Sequence, residues 1–127
     1  MAETVVCDTN IIIEVFKKNS NALSLIEKIG YNNIAVSAIT IMELYFGALN
    51  KKELDKIKKS LNGIPVLSIQ ESTTTLALRL IETYSKSHGL TIPDALIAST
   101  VIDNNLPLLT YNVKDFKFIK NIRLFVL

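Results

Sequence analysis

Residues 90–99 read LTIPDALIAS, and this stretch predicts the start of a helix that carries a single acid. Thr91 or Ile92 can flank the first turn, Pro93 suits that turn because it has no N–H to satisfy, and the apolar residues that follow propagate a helix well. Asp94 is the one charged residue in the stretch. An isolated carboxylate at the start of an otherwise buried helix either caps that helix or binds something positive, so its partners decide between the two.

Outward from this helix, short apolar runs alternate with amphipathic segments. The predicted strands are residues 4–7, 34–36, 64–67, 108–110 and 124–126. The predicted helices are residues 11–16, 21–29, 41–49, 51–61, 70–87 and 94–104, with a turn or short helix at 112–116. Strands that are apolar throughout and separated by helices predict a parallel sheet covered on both faces. The fold class is therefore α/β, with a central, mainly parallel sheet of 4–5 strands. Because proline has no N–H to donate to a neighbouring strand, Pro65 places the third strand near an edge of the sheet.

Length and composition describe one globular domain over residues 1–127. The chain has 49% hydrophobic and 20% charged residues, which fits neither disorder nor a fibre. A domain of this size buries about two-thirds of its unfolded surface. The net charge of +2 is too small to indicate a nucleic-acid partner by itself. Cys7 is the single cysteine, and its apolar neighbours predict a small buried side chain.

The sequence also argues against export and against a membrane span. Glu3 and Asp8 stand where a signal peptide needs a basic start and an apolar run. The longest weakly polar run, residues 34–42, is far too short to cross a bilayer. A single cysteine fits a reducing compartment, so we expect a cytoplasmic protein with no membrane partner.

Side chains with oxygen donors follow the predicted strands or open the helices beside them. Asp8 directly follows the first strand, Glu43 follows the second after a few residues, and Asp94 opens the helix that leads into the fourth. Asn112 and Asp115 follow the fourth strand. Because ligands of open α/β sheets bind outside the carboxyl ends of the strands, we expect these side chains to lie along one edge.

Helix capping explains each acid singly better than it explains them together. Asp8 can cap the helix after it, residues 40–43 fit a capping box, and residues 91–94 resemble one. However, two carboxylates about 5 Å apart repel by roughly 3 kcal/mol at an effective dielectric of about 20, whereas a helix N-terminus stabilises an acid by only about 0.3–1 kcal/mol. A divalent cation resolves this repulsion, and oxygen ligands without His or Cys favour Mg²⁺ or Mn²⁺ over Zn²⁺.

Four short motifs in series resemble those of PIN-domain ribonucleases. They are Asp8-Thr9-Asn10 after the first strand, MELYFGA at residues 42–48, PDALIA at residues 93–98, and TYNVKDF at residues 110–116. Within that family the chain is most similar to the VapC-type toxins of bacterial and archaeal toxin–antitoxin pairs. The motifs occur in the family's order and cover nearly the whole chain. The resemblance implies a PIN-like three-layer α/β/α fold around the predicted sheet.

The resemblance also implies a metal-dependent endoribonuclease. Asp8, Glu43 and Asp94 match the family's core acidic positions, which hold Mg²⁺ or Mn²⁺ directly or through water. Many members have Asp at the position of Asn112, which offers a neutral carbonyl here. Asp115 either supplies the fourth charge or contacts the metal ligands without binding the metal itself. On this interpretation the four acids are catalytic, and the four acids with Asn112 are the metal ligands. Hydrolysis is expected to leave a 5′-phosphate and a 3′-hydroxyl.

The implied partners are an RNA substrate, a small cognate antitoxin protein and a second copy in a homodimer. The lysines in residues 114–120 predict contact with the RNA backbone, whereas those in residues 51–59 predict a solvated helix face. For Tyr45 and Phe46 the sequence predicts either stacking on bases or a place in a dimer or antitoxin interface, and core packing is at least as well supported for Phe46.

Uncharged polar residues next to the acids have open assignments. Thr9 and Thr110 either orient carboxylates or phosphate through their hydroxyls or bond locally within turns. Asn10 has the same two possible assignments, and a supporting role beside the Asp8 carboxylate is slightly favoured. His88, the one histidine, is predicted at the surface or at a helix end with no catalytic role.

Two other classes of acid-rich α/β protein fit poorly. A phosphatase of the haloacid-dehalogenase type needs a second Asp two residues after Asp8, where Asn10 stands. A receiver domain needs an Asp after the third strand, where residues 67–69 read LSI. The main alternative is a catalytically silent PIN-like module that binds RNA or protein as a scaffold, and the intact acids argue against it.

Overall fold

The central sheet is parallel throughout, and its strands lie out of chain order. The structure, a computed structural model, describes residues 3–126; residues 1, 2 and 127, which the one-domain prediction includes, lie outside that range. The strands are β1 (Val5–Cys7), β2 (Ile34–Ser37), β3 (Val66–Leu67) and β4 (Leu108–Leu109). Their order in the sheet is β3-β2-β1-β4, and every pairing is parallel. This confirms the predicted sheet and puts β3, which follows Pro65, at an edge.

The predicted fifth strand at residues 124–126 is wrong, because pairing there is reduced to one bridge. Leu124 pairs with Leu108 in parallel, and the Phe125 N–H donates to the Leu108 carbonyl at 2.8 Å. The neighbouring strand β4 is itself only two residues long. Val126 has left the sheet and is 83% exposed.

Six α-helices connect and cover the strands within residues 3–126. They are α1 (Thr9–Phe16), α2 (Ser20–Ile29), α3 (Ala38–Phe46), α4 (Lys51–Ser60), α5 (Glu71–His88) and α6 (Ile92–Asp103), and two short 3₁₀ helices are Tyr31–Asn33 and Val113–Asp115. All except α3 agree with their predicted bounds to within two residues. None of these helices is long and apolar enough to cross a membrane.

Helix α3 begins three residues earlier than predicted, and a different residue caps it. Ser37 is the N-cap, and its Oγ accepts the Thr40 N–H at 3.2 Å. The predicted capping box over residues 40–43 is therefore wrong. The Thr-to-Glu spacing matched the capping pattern, but Ser37 at the end of β2 offers the same kind of acceptor one turn earlier. The shift places Glu43 in the second turn of α3.

Strand β1 faces two separate hydrophobic cores, because successive side chains of a strand point to opposite faces. Val5 and Cys7 pack with α1 and α2 residues on one face, and Val6 packs with α5 and α6 residues on the other. Helices therefore cover both faces of the sheet, which confirms the three-layer α/β/α architecture. Burial is the main cause that raises the pKa of the Cys7 thiol to about 12, as befits a small core side chain.

The carboxyl ends of the strands meet at one edge of the sheet, since all pairings are parallel. Asp8 follows β1, Ser37 ends β2 and Thr110 follows β4. Helix α6 leads into the amino end of β4, so its first turn lies at the same carboxyl edge. The topology thus places the starts of α1, α3 and α6 side by side.

Candidate active site

Asp8 lies at the end of β1, where it is the N-cap of α1. Its Oδ1 accepts the Thr9 N–H at 2.8 Å, and its Oδ2 accepts the Thr110 hydroxyl at 2.7 Å. The residue is only 5% exposed, and aspartates are almost never so buried unless they are paired. The predicted cap is confirmed, but capping alone leaves the burial of this charge unexplained.

Glu43 projects from the second turn of α3 and contacts α1. Its Oε1 accepts the Thr9 hydroxyl at 2.7 Å, a bond between residues 34 positions apart. Because Thr9 directly follows Asp8, this bond links α3 to the residue beside the first acid. Glu43 itself is an exposed residue, so its carboxylate is held at one oxygen while the residue faces solvent.

Asp94 lies in the first turn of α6 and is half-buried. Thr91 is the N-cap, and its hydroxyl accepts the Asp94 N–H at 3.3 Å. Pro93 occupies the first turn, where its missing N–H leaves nothing unsatisfied. The predicted helix start is therefore confirmed, and it places the Asp94 carboxylate at the positive end of the helix dipole.

Asp115 and Asn112 lie on the segment that follows β4. The Asp115 N–H donates to the Asn112 carbonyl at 2.9 Å within a short 3₁₀ helix. The Asn112 N–H donates to the Thr110 hydroxyl at 3.0 Å. Asp115 is half-buried and Asn112 is exposed, so the acid of the pair lies closer to the protein interior.

The four acids interact electrostatically, although they come from four separate segments. Burial is the main reason why the pKa of Asp94 rises to about 6, and the charges of Asp8, Asp115 and Glu43 raise it further. Burial also raises the pKa of Asp8, against the lowering effect of its two hydrogen bonds, and the charges of Glu43 and Asp115 add to the rise. The structure therefore brings all four predicted acids into one electrostatic neighbourhood.

In the part of the chain that the structure describes, no salt bridge neutralises these four acids. Within residues 3–126 the salt bridges join Lys51 to Asp55 and Arg123 to Glu3, and the four site acids take part in neither. Mutually repelling carboxylates without a basic partner are the donors that Mg²⁺ and Mn²⁺ bind. No three His, Cys, Asp or Glu side chains of the described range are, however, grouped so as to hold a metal ion. The donor chemistry nevertheless fits a divalent cation, which these carboxylates would hold directly or through water.

Thr110 connects the acids to the segment after β4. Its hydroxyl donates to Asp8 and accepts the Asn112 N–H at 3.0 Å. The Asn10 side-chain amide also reaches that hydroxyl at 3.5 Å. Thr9 and Thr110 thus both donate to carboxylates. Their hydroxyls therefore orient acids and do not bond only within their own turns.

Sequence reasoning missed two hydroxyls that lie behind Glu43. The Thr40 Oγ1 is 3.0 Å from the Thr9 Oγ1 and 3.4 Å from the Ser37 Oγ, and both residues are fully buried. The available signal was spacing, because Thr40 stands three residues before Glu43 and residues three apart share a helix face.

Predictions for the aromatic residues had mixed outcomes. Phe46 is 93% exposed, so core packing for it is wrong; α3 ends at this residue, with no later turn to cover its ring. Met42 and Leu49 are also exposed, at 56% and 86%. His88 is the last residue of α5 and stacks on Phe118 with ring centroids 4.4 Å apart, which confirms its helix-end position.

The two lysine groups are both solvent-facing. The lysines of α4 at residues 51–59 are exposed, which confirms a solvated helix face. The lysines within residues 114–120 are exposed as well, and the first of them stands two residues after Asn112. Their contact with RNA stays a prediction.

Comparisons with known proteins agree with this geometry. The family model for the PIN domain matches residues 5–120. The chain is 33% identical over 125 residues to ribonuclease VapC2 of Rickettsia felis, a match that covers 91% of each chain. It is 30% identical over 95 residues to ribonuclease VapC3 of Methanocaldococcus jannaschii, which covers 74% of this chain and 94% of that protein.

Solved structures give the same result at the level of the fold. A crystal structure of VapBC2 from Rickettsia felis bound to promoter DNA contains a chain with a TM-score of 0.75 and 30% identity, covering 96% of this chain and 97% of that one. A toxin–antitoxin complex from Klebsiella pneumoniae gives a TM-score of 0.78 and 28% identity, covering 94% and 95% of the two chains. With a family match over residues 5–120 and acids gathered at the carboxyl edge of its sheet, the chain belongs to the PIN-domain family.

Proposed function

We propose that this protein is a Mg²⁺- or Mn²⁺-dependent endoribonuclease of the VapC type, a toxin neutralised by a cognate antitoxin. The observation that carries the proposal is the group of four acids at one sheet edge, where the charges of the others raise the pKa of Asp94, with no basic partner among residues 3–126. Relatives named as ribonucleases match most of the chain. These relatives supply RNA as the substrate class.

The proposed roles follow from where each side chain lies. Asp8, Glu43, Asp94 and Asp115 would hold the cation directly or through water, and Asn112 would offer its side-chain carbonyl. A bound divalent cation lowers the pKa of its water and neutralises charge on a scissile phosphate. Thr110 and Thr9 donate to the Asp8 and Glu43 carboxylates, which holds those acceptors in place before a cation arrives.

The proposed protein partners are an antitoxin and a second copy of this chain. Solved relatives include a toxin–antitoxin complex, and this chain exposes Met42, Phe46 and Leu49 around the end of α3. Exposed apolar side chains that lie together mark interaction surfaces. We assign this surface to protein partners, so Phe46→Ala weakens antitoxin binding without slowing RNA cleavage by the free protein. Light scattering of the purified protein is expected to give twice the 14.1 kDa chain mass.

An RNA-cleavage assay tests the enzymatic proposal. Protein freed of antitoxin is incubated with structured and unstructured RNAs in Mg²⁺ or Mn²⁺, with and without a chelator. Cleavage that leaves 5′-phosphate ends, stops on chelation and is lost in Asp94→Asn supports the proposal. Cleavage that survives chelation contradicts the metal requirement.

The toxin assignment has a separate test in cells. Expression of the wild-type protein is expected to arrest growth, and co-expression of the antitoxin encoded beside it is expected to relieve the arrest. Normal growth with well-expressed, active nuclease removes the toxin assignment while the nuclease assignment stands.

The second candidate is a catalytically silent PIN-like scaffold for RNA or protein. One observation favours it: no three acidic side chains in residues 3–126 are grouped so as to hold a metal ion. A scaffold binds RNA without cutting it, and Asp94→Asn leaves that binding intact. Wild-type protein that cleaves none of the RNAs in either metal supports the scaffold.

A further inference from the structure

A line of three hydroxyl groups leads from the core to Glu43. The Ser37 Oγ is 3.4 Å from the Thr40 Oγ1, which is 3.0 Å from the Thr9 Oγ1. The Thr9 hydroxyl in turn lies 2.7 Å from the Glu43 Oε1. Ser37 and Thr40 are both 0% exposed, so the inner part of this line is closed to solvent.

Counting hydrogens gives the line a direction. Each hydroxyl has one hydrogen to donate, while an ionised carboxylate only accepts. The Thr9 hydrogen goes to Glu43, because that contact is shorter and charge-assisted. The Thr9–Thr40 contact is then made by the Thr40 hydrogen, and the Ser37 hydrogen completes the line by pointing at Thr40.

The opposite end of the line is fixed by the backbone. The Ser37 Oγ accepts the Thr40 N–H at 3.2 Å as the cap of α3. With that donor in place, every hydroxyl in the line accepts one hydrogen and donates one. Hydrogen bonds aligned in this way polarise and strengthen one another.

We propose that Thr40, supported by Ser37, is a positioning residue that acts through Thr9 to hold the Glu43 carboxylate ready for a cation. Glu43 is exposed, and its flexible side chain loses entropy when it is fixed. The hydroxyl line holds one of the two oxygens of this carboxylate. This inference rests on the proposed metal site, in which Glu43 is a ligand.

Three single variants separate positioning from packing. Thr40→Val keeps the shape of the side chain and removes the hydroxyl, and Thr40→Ser keeps the hydroxyl. Thr100→Val is the matched control, since Thr100 is an equally buried helical threonine whose hydroxyl donates to the Leu96 carbonyl of its own helix. All three are checked for folding by thermal melts.

The first measurement is calorimetric titration with Mn²⁺ alone. Thr40→Val is expected to weaken Mn²⁺ binding by roughly 10-fold, the lower end of what partners of metal ligands contribute, while Thr40→Ser and Thr100→Val bind as the wild type does. In a Glu43→Ala background, Thr40→Val is expected to cause no further loss. An equal loss with and without Glu43 overturns the proposal, because the effect then does not pass through that carboxylate.

The second measurement needs no metal and distinguishes this inference from the proposed function. NMR relaxation of the Glu43 side-chain methylenes in metal-free protein is expected to show greater mobility in Thr40→Val than in the wild type, Thr40→Ser or Thr100→Val. Unchanged mobility in Thr40→Val overturns the positioning role. A wild-type protein that binds no Mn²⁺ refutes the metal site, whereas the Glu43 mobility still decides the role of Thr40.

Discussion

Two aspartates in this molecule accept two short hydrogen bonds each, yet their pKa values move in opposite directions. Asp103, at the end of α6, accepts the Ser72 and Thr73 hydroxyls at 2.6 and 2.8 Å, and these bonds lower its pKa. Asp8 accepts its two bonds at 2.8 and 2.7 Å, but its pKa is raised. The number and length of hydrogen bonds therefore do not distinguish the two sites.

The difference lies in burial and in neighbouring charge. Asp103 is exposed, and its hydroxyl partners join the end of α6 to the start of α5 as a structural contact. Asp8 is buried beside other acids, so its charged form is disfavoured in spite of its hydrogen bonds. An acid held at such a cost of solvation and repulsion indicates a function, whereas the Asp103 contact needs only stability as its explanation.

The largest expected effect separates the two aspartates by activity. Asp8→Asn is expected to reduce RNA cleavage by more than about 100-fold, because even partners of metal ligands contribute about 10–100-fold. Asp103→Asn is the matched control, with the same chemical change in an exposed carboxyl, and is expected to leave the rate unchanged. Initial cleavage rates on one RNA at saturating Mn²⁺ measure both effects. Equal losses of rate in the two variants would show that Asp8 has no special role in cleavage.

The next effect concerns metal-linked stability. Mn²⁺ at about 100 times its dissociation constant stabilises a protein by about 2.7 kcal/mol when it binds only the folded state. We expect wild type and Asp103→Asn to melt several degrees higher in Mn²⁺, and Asp94→Asn to gain little. Calorimetric melts with and without chelator measure this gain. If the Mn²⁺-induced rise in melting temperature persists in Asp94→Asn, the metal binds somewhere other than at these acids.

The pH dependence of metal-free stability has opposite signs at the two sites. The pKa of Asp94 rises from an ordinary 3.8 to about 6 on folding, so the folded state binds more protons between these values and its stability falls as pH rises from about 4 to 6. Asp103 has a lowered pKa, so its contribution is present above pH 4 and is lost on further acidification. Urea unfolding from pH 3.5 to 7 with a chelator measures the curve, and Asp94→Asn is expected to flatten its upper part. A wild-type curve that instead rises from pH 4 to 6 contradicts the electrostatics described for the edge.

The smallest effect is the structural contribution of Asp103. Asp103→Ala removes the acceptor of two hydroxyl hydrogen bonds, and the free energy of unfolding is expected to fall by about 1 kcal/mol, less than for buried charged hydrogen bonds because the site is exposed. Urea unfolding at pH 7 measures it. Destabilisation matched by lost Mn²⁺ binding contradicts a purely structural role.

Much of the fold was predictable from local patterns in the sequence. Pro93 after Thr91 predicted the start of α6, and Pro65 predicted an edge position for β3. Both residues act through their own backbone geometry, so no distant partner is needed to interpret them. The predicted start of α3 was wrong because two capping patterns overlap there, and the sequence does not rank Ser37 above Thr40 as the N-cap.

The meeting of the four acids at one sheet edge was predictable from the sequence, but the contacts that hold them were not. The acids follow from strand ends and parallel topology. The Thr110–Asp8 bond joins residues 102 positions apart, and the Thr9–Glu43 bond depends on the packing of α1 against α3. The exposure of Phe46 also depends on where α3 ends. Such pairings are set by tertiary packing, which local spacing does not encode.

We propose that acids from four segments share one divalent cation at the carboxyl edge of the sheet. Anomalous difference density from a crystal of the protein soaked in Mn²⁺ tests it most directly. We expect a peak within reach of Asp8, Glu43, Asp94 and Asp115, and we expect that peak to be lost in crystals of Asp94→Asn. An edge without a peak in a well-diffracting soaked crystal, or Mn²⁺ bound only elsewhere on the molecule, would contradict it.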